Sequence, residues 1–374
     1  MGSAAAPAQQ QQQQCVHIEG LQTALPTRVV PPGRARPVSV SVASPPLAAS
    51  ALLQRRARVV LYYRADGAPW EEAVWVKESL SEALADHPEM AGRLRRRADD
   101  GGASWEVKLN DTGVRLVLAS ADGAVEDFLA AGEDRARREA ALAPWTDVDA
   151  EDPDMSALCF VQLTRFQGDG GYAVGVSCSL MLADPLSLAR FLLSWARTHA
   201  AMKAQNKVAT NPMMQYLSYF QRPDAMTKRI KSIPIDTVVP GAGDGDVETV
   251  LFRAAGAQDH RALARACLDQ ASDKLGAANK VPRFSVAVVA GKGDGDNPAG
   301  MSVETCTGDA VAESGGAGQK LEVVQWQELG LEDLVLREGK PAHVSYSIVT
   351  GSDEGLAVVM PDGDGFLVTA TVPK

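Results

Sequence analysis

Apolar and small residues alternate from Tyr172 to Leu180, and this period of two predicts a strand whose two faces differ. Asp184 then precedes Pro185, a pairing typical of a helix N-cap followed by the first helical position. From there to Ala196 the apolar side chains cover more than one helical face, which indicates a buried helix. Residues 171–196 therefore predict a strand, a tight turn and a buried helix.

The same patterns predict further elements along the chain. Helices are expected at residues 45–53, 70–85, 124–131 and 260–275. Strands are expected within residues 16–43 and at 59–63, 90–94, 105–109, 114–118, 158–166, 247–255, 284–290, 343–349, 355–360 and 365–372.

Turn composition suggests how some of these strands pair. Asn110 to Gly113 resembles a hairpin turn, so the strands on either side are expected to be neighbours. Gly168 to Gly171 should likewise join 158–166 to 172–180, and strands 343–349 and 355–360 are expected to pair. The glycine-rich stretch 291–318 lacks the spacing of a phosphate-binding loop and is interpreted as a mobile surface loop.

Composition suggests four regions and excludes several functions. We expect a disordered glutamine-rich tail at 1–15, an N-terminal domain at 16–204, a proline-containing crossover linker at 205–240 and a shorter C-terminal domain at 241–374. The net charge of −10 argues against nucleic acid as a partner. Basic clusters such as Arg55-Arg56 and 93–97 are interpreted as solvated surface.

Cysteine usage and hydropathy suggest a cytoplasmic protein. The five scattered cysteines contain no Cys-x-x-Cys pair, so neither a disulfide framework nor a metal site is expected. Cys159 and Cys178 lie in apolar strands and should be small core residues. No signal region or membrane span is visible, so any membrane association is expected to occur through a partner.

Two motifs resemble a known family. Asp184, Ser187 and the run Phe191-Leu192-x-x-Trp195-Ala196 after a small-residue strand resemble the signature of plant BAHD acyltransferases, as does Ala91-Gly92-Arg93-Leu94 after His87-Pro88. This resemblance implies an α/β fold with mixed sheets, in which two chloramphenicol-acetyltransferase-like domains are joined by a crossover linker.

The family signature also locates the expected chemistry. In BAHD enzymes a histidine four residues before the motif aspartate is the general base that activates the acceptor, but here that position is Leu180. Asp184 is retained and is expected to be structural, and Ser179 without a base is a poor proton acceptor. Gly339, Lys340 and Pro341 match only the end of the family's channel loop. No catalytic residue is therefore expected, with His343 as the weak remaining candidate if it approaches Asp184.

The eroded motifs resemble the Eceriferum/Glossy branch of the family. That resemblance implies a non-catalytic accessory protein in very-long-chain fatty acid elongation for cuticular wax or pollen-coat lipids. It would act with a ketoacyl-CoA synthase at the cytosolic face of the endoplasmic reticulum and otherwise be monomeric. No cofactor is implied, although acyl-CoA is a conceivable ligand or substrate. The alternatives are a divergent acyl-CoA-dependent O- or N-acyltransferase and a degenerate paralogue without a role. Leu180 itself would serve either as packing or as an apolar surface for an acyl chain.

Overall fold

A computed structural model describes residues 14–41, 49–64, 69–97, 105–130, 132–205, 229–241, 244, 247–256, 259–276, 281–291, 293, 297–307, 320–336, 339–352 and 354–373. Residues 1–13 of the predicted tail and 206–228 of the predicted linker lie outside these residues, whereas Cys15, predicted as part of the tail, begins a strand. Strands and helices are numbered below in chain order.

A seven-stranded mixed sheet carries the strand of the motif at its centre. In spatial order its strands are β14 (His343–Val349), β3 (Arg56–Tyr63), β8 (Tyr172–Ser179), β7 (Cys159–Phe166), β6 (Val114–Ala121), β1 (Cys15–Ala24) and β9 (Lys231–Pro234). The predicted pairing of β7 with β8 is confirmed, with Cys159 opposite Cys178. β8 is buried along its whole length, as its near-continuous apolar and small residues require.

A second mixed sheet of nine strands lies beside the first. Its order is β13 (Leu321–Val324), β10 (Val247–Ala255), β16 (Gly365–Pro373), β15 (Gly355–Asp362), β11 (Arg283–Val289), β12 (Met301–Thr307), β2 (Ala35–Ser41), β5 (Trp105–Lys108) and β4 (Arg93–Arg96). The expected mixed-sheet α/β architecture is therefore present. Among the described residues, three of the four sheet edges are four-residue strands, namely β9, β13 and β4.

Helices cover the two sheets. They are α1 (Ala49–Leu53), α2 (Pro69–Asp86), α3 (Val125–Leu129), α4 (Arg135–Leu142), α5 (Pro185–Ala204) and α6 (His260–Leu275). The largest apolar cluster joins α2 and α5 to side chains of both sheets, so one core runs between the sheets. A second cluster lies under α6, and a third lies under α3 and α4.

Strand partners differ from the prediction at three places. β5 and β6 do not form a hairpin, because β5 belongs to the nine-stranded sheet and β6 to the seven-stranded sheet. β14 pairs with β3 and not with β15. The glycine-rich stretch predicted as a loop contains β12, which pairs with both β11 and β2.

These pairings interlace the two predicted domains. β2, β4 and β5 come from the predicted N-terminal domain but lie in the nine-stranded sheet, whereas β14 crosses in the opposite direction. β9, within the predicted linker, is an edge strand of the seven-stranded sheet. The domain boundary at residues 205–240 stays a prediction. Each sheet contains strands from both sides of that boundary.

Three arginines predicted as solvated are buried. Arg55, Arg56 and Arg93 are 3%, 4% and 2% exposed. Burial lowers the pKa of each guanidinium to about 10. Arg56 lies over the ring of Trp145, and Arg93 donates to the Gly113 carbonyl oxygen at 3.1 Å. Long side chains let these arginines reach backbone oxygens from positions that composition alone marks as surface.

Candidate functional site

The motif turn links the end of β8 to the start of α5. Leu180 N donates to the Arg55 carbonyl oxygen at 3.0 Å, which continues the pairing of β8 with the segment before β3. Leu182 N and Ala183 N then both donate to the Ser179 carbonyl oxygen, at 2.9 and 3.1 Å. Two donors on one carbonyl oxygen close a tight turn, which aims the chain directly into α5.

Leu180, at the position of the family's general base, is a core residue. Its side chain is 3% exposed and belongs to the cluster between the sheets. Beside the start of α5, a pocket between β3 and β14 has a volume of about 10 Å³, and Leu180 is not among its lining residues. Leu188, Val59 and Ile348 are among the side chains that line it. A space of this size holds at most one water molecule.

Asp184 is fully engaged in starting α5. Its Oδ1 accepts from Ser187 N at 2.9 Å and its Oδ2 accepts from Ser187 Oγ at 2.5 Å. The carboxylate thus satisfies an amide that the first helical turn leaves free, while Pro185 supplies the first helical position. Asp184 is 2% exposed, so it is a buried helix cap.

Two buried arginines contact the motif turn, and the sequence did not predict either contact. Arg36 of β2 donates to the Leu182 carbonyl oxygen and, at 2.7 Å, to that of Ala299. Burial lowers the pKa of Arg36, while the negative charge of Asp184 opposes that change. Arg55 donates to Ser285 Oγ at 2.9 Å. Arg36 shares one face of the short strand β2 with Val38 and Val40, and that register was the available signal.

His343 lies at the far end of β3 from the motif turn. It pairs with Tyr62, whereas the residue before β3, Arg55, contacts Leu180. The offset from Arg56 to Tyr62 corresponds to about 20 Å of strand. His343 Nε2 lies 2.8 Å from Arg135 Nη2, and burial together with the Arg135 charge lowers its pKa. The structure therefore does not bring His343 to Asp184.

Two other histidines near α5 have their own contacts. His199, in the last half of α5, places Nδ1 2.9 Å from Ser79 Oγ on α2, and Trp195 Nε1 donates to the same hydroxyl. His87 follows α2 as predicted and packs edge-on against Phe191. Both residues join α2 to α5.

The remaining predicted positions lie around the turn without forming a reactive group. Ser179 Oγ accepts from Met181 N at 3.2 Å. A hydrogen bond with Cys159 and burial raise the pKa of the neighbouring Cys178 thiol, which disfavours its nucleophilic thiolate form.

The channel-loop positions lie at the β14 end of the seven-stranded sheet. Lys340 is exposed and pairs with Asp333 at 2.5 Å, and Gly339 and Pro341 are half-buried beside it. Pro341 is followed two residues later by His343, the first residue of β14. Gly339, Lys340 and Pro341 therefore accompany His343 and not the Leu180 turn.

A metal site and a membrane-spanning helix are both absent from the described residues. These residues contain no group of three or more His, Cys, Asp or Glu side chains placed to hold a metal ion. In the same part of the chain, no helix has both the length and the apolar character to cross a bilayer.

The chain is similar to part of the length of several known proteins. The chain is 35% identical over 129 residues to hydroxycinnamoyl-CoA:piscidic acid hydroxycinnamoyltransferase of Actaea racemosa, covering 34% of this chain and 27% of that protein. It is 31% identical over 154 residues to Protein ECERIFERUM 26-like of Arabidopsis thaliana, covering 40% and 35%. The matches thus span about a third or less of these relatives.

A solved structure and a family model complete the comparison. Vinorine synthase matches over 96% of this chain and 95% of its own, with 16% identity and a TM-score of 0.44. The model of the Transferase family matches residues 55–250, which is more than half of the chain and includes the turn at Leu180 and Asp184. The chain therefore belongs to the Transferase family, that of the BAHD acyltransferases.

Proposed function

We propose that this protein is a non-catalytic member of the BAHD family that promotes very-long-chain fatty acid elongation together with a ketoacyl-CoA synthase. One observation carries the proposal: Leu180 fills the position of the general base and is packed into the core. A missing general base lowers a rate by about 10²- to 10⁴-fold.

The surroundings of Leu180 support the loss of transfer chemistry. The Asp184 carboxylate caps α5, and His343 lies at the end of β3 that is far from the Leu180 turn. Leu180 itself is 3% exposed, within the core cluster between the sheets. These features favour packing over an acyl-chain surface as the role of Leu180.

The similarity to Protein ECERIFERUM 26-like suggests the cellular role. By that similarity the protein would contribute to cuticular wax or pollen-coat lipids. The expected partner is the ketoacyl-CoA synthase, contacted at the cytosolic face of the endoplasmic reticulum. Acyl-CoA would be the synthase's substrate and not a group that this chain transfers.

The decisive experiment reconstitutes elongation in yeast with a plant ketoacyl-CoA synthase and measures acyl-chain length by gas chromatography. The wild-type chain should shift products to longer chains. Leu180→Met conserves volume, and Asp184→Asn keeps a cap acceptor, so both variants should retain that shift to within about twofold. Thermal unfolding of each variant provides the control for folding.

Two results would contradict the proposal. One is loss of the chain-length shift in a variant that unfolds at the wild-type temperature. The other is acyl transfer by purified protein at an ordinary enzymatic turnover of about 1 s⁻¹ or more. Co-purification of the synthase with the wild-type chain from membranes tests the partner separately.

A divergent acyltransferase is the second candidate, favoured by the names of the other relatives. These include rosmarinate synthase of Plectranthus scutellarioides and shikimate O-hydroxycinnamoyltransferase of Nicotiana tabacum, at 35% and 34% identity over 138 residues each. Hydroxycinnamoyl-CoA with shikimate or agmatine as acceptor tests this candidate. Product formation that His343→Ala abolishes would establish it and displace the accessory role.

A further inference from the structure

Three adjacent strands bring a serine, a histidine and an aspartate together at one end of the seven-stranded sheet, far from the motif turn in the strand order. Ser232 lies in the edge strand β9, directly opposite His17 of β1. Asp122 follows the last residue of β6, the strand on the other side of β1. Each side chain therefore comes from a different strand, and the sheet fixes their separation.

The distances form a continuous hydrogen-bonded chain. His17 Nδ1 is 2.8 Å from Ser232 Oγ, and His17 Nε2 is 3.0 Å from Asp122 Oδ1. An ionised carboxylate only accepts, so Nε2 carries the proton and Nδ1 offers its lone pair to the serine hydroxyl. Cys15 N donates to Asp122 Oδ2 at 3.0 Å and holds the carboxylate in place.

The histidine is the shielded member of this chain of groups. The His17 side chain is 6% exposed, whereas the Asp122 side chain is 36% exposed and Ser232 is exposed. The base is thus shielded and oriented, and the hydroxyl faces solvent where a substrate can arrive. In serine hydrolases the same three groups act as nucleophile, general base and orienting acid, although there Nε2 faces the serine.

The strand register also supplies a donor for a developing oxyanion. Ile235 N donates to the Gln14 carbonyl oxygen at 3.0 Å, so Cys15 and Pro234 form a non-hydrogen-bonded pair. His17 and Ser232, two positions along, form the next such pair. The Ser232 amide consequently points away from β1, to the outer side of β9, where the described residues contribute no strand.

We propose that Ser232, His17 and Asp122 form an acyl-ester hydrolase site, independent of the family's transferase motif. Ser232 Oγ attacks the ester carbonyl carbon while its proton moves to His17 Nδ1. The bond between the carbonyl carbon and the ester's alkoxy oxygen breaks, and the departing alkoxide takes the proton from His17. Water then attacks the acyl-serine through the same base, which releases a carboxylic acid and restores the serine. Ile230, 58% exposed and two residues before Ser232, favours an apolar acyl group.

Covalent labelling of the full chain tests the site. A fluorophosphonate probe should modify Ser232, as located by mass spectrometry, because only an activated hydroxyl displaces its fluoride readily. Ser232→Ala should abolish labelling and hydrolysis of p-nitrophenyl butyrate. Asp122→Asn should lower both rates by at least about 10²-fold. Ser302→Ala, at an exposed serine of β12, is the matched control and should behave as wild type.

Two outcomes would overturn the proposal. One is that Ser232 remains unlabelled under conditions that label a standard serine hydrolase. The other is that Ser232→Ala hydrolyses the ester at the wild-type rate. In either case the three residues only tie β9 to β1. His17→Gln is informative if it folds, and the Ser232 and Asp122 variants decide the question if it does not.

Discussion

Leu180 is a packed side chain, so its removal should be measured in stability. Leu180→Ala should lower the free energy of unfolding by about 2–5 kcal/mol, since the core around it cannot collapse fully. Urea denaturation measures the change. Leu21→Ala is the matched control: Leu21 is 66% exposed, and its truncation should cost less than about 0.5 kcal/mol. Equal effects at both sites would show that position 180 is not core.

His343 should make stability depend on pH. Burial and the Arg135 charge lower its pKa in the folded chain, so below about pH 6.5 the unfolded chain binds more protons. Its contribution to stability is present above pH 6.5 and is lost as the pH falls from there through the folded pKa. His343→Gln should flatten this loss when unfolding is followed between pH 7 and pH 5. Parallel curves for the two proteins would contradict this assignment.

The sequence predicted the local structure of the motif but not all of its neighbours. Asp184 before Pro185 predicts the cap that is observed, because capping is local chemistry. Arg36 and Arg55 reach the turn from residues far away along the chain, and a long-range contact leaves no local pattern. Whether the weak candidate His343 approaches Asp184 was equally hidden from the sequence, since it depends on strand register, and the structure keeps the two residues apart.

At the level of elements, a buried ion pair joins β3 to the segment before β10. Arg58 and Asp244 form a bidentate pair with side chains 2% and 4% exposed. Asp244→Ala should cost about 3–5 kcal/mol, because it leaves a buried guanidinium uncompensated. The double variant Arg58→Met, Asp244→Ala should cost less than Asp244→Ala alone.

A double-mutant cycle by urea denaturation measures this coupling. The exposed pair Arg28 and Asp86, with side chains 62% and 65% exposed, is the matched control and should contribute less than about 1 kcal/mol. A similar coupling energy for both pairs would contradict the role assigned to burial.

Element types could be predicted more reliably than element partners. Residues 109–113 form an irregular link and not the predicted hairpin turn. Gly113 in this link has φ +85°, and its Cβ position lies 2.3 Å from the Ala24 carbonyl oxygen, a space that only glycine fits. The link carries the chain from one sheet to the other. An alternating pattern specifies which face is buried and does not specify the neighbouring strand, so β5 and β14 were assigned to the wrong partners.

At the scale of the whole molecule, the exchanged strands predict one folding unit. The fragment 16–204 would lack β14 and β9, and its β2 would lose β12. It should therefore show no cooperative thermal transition, whereas the full chain should unfold in one transition seen alike by circular dichroism and tryptophan fluorescence. A fragment with a dispersed amide NMR spectrum and a sharp transition would show that the halves fold separately.

The short strands that end both sheets have a consequence for how copies of the chain meet one another. β9, β13 and β4 each offer four residues, and arginines occupy three of the four positions in β4. Short edge strands with charged side chains offer another copy of the chain few backbone groups for strand addition. At high protein concentration, copies of the chain should therefore not assemble into fibrils through pairing at these three edges.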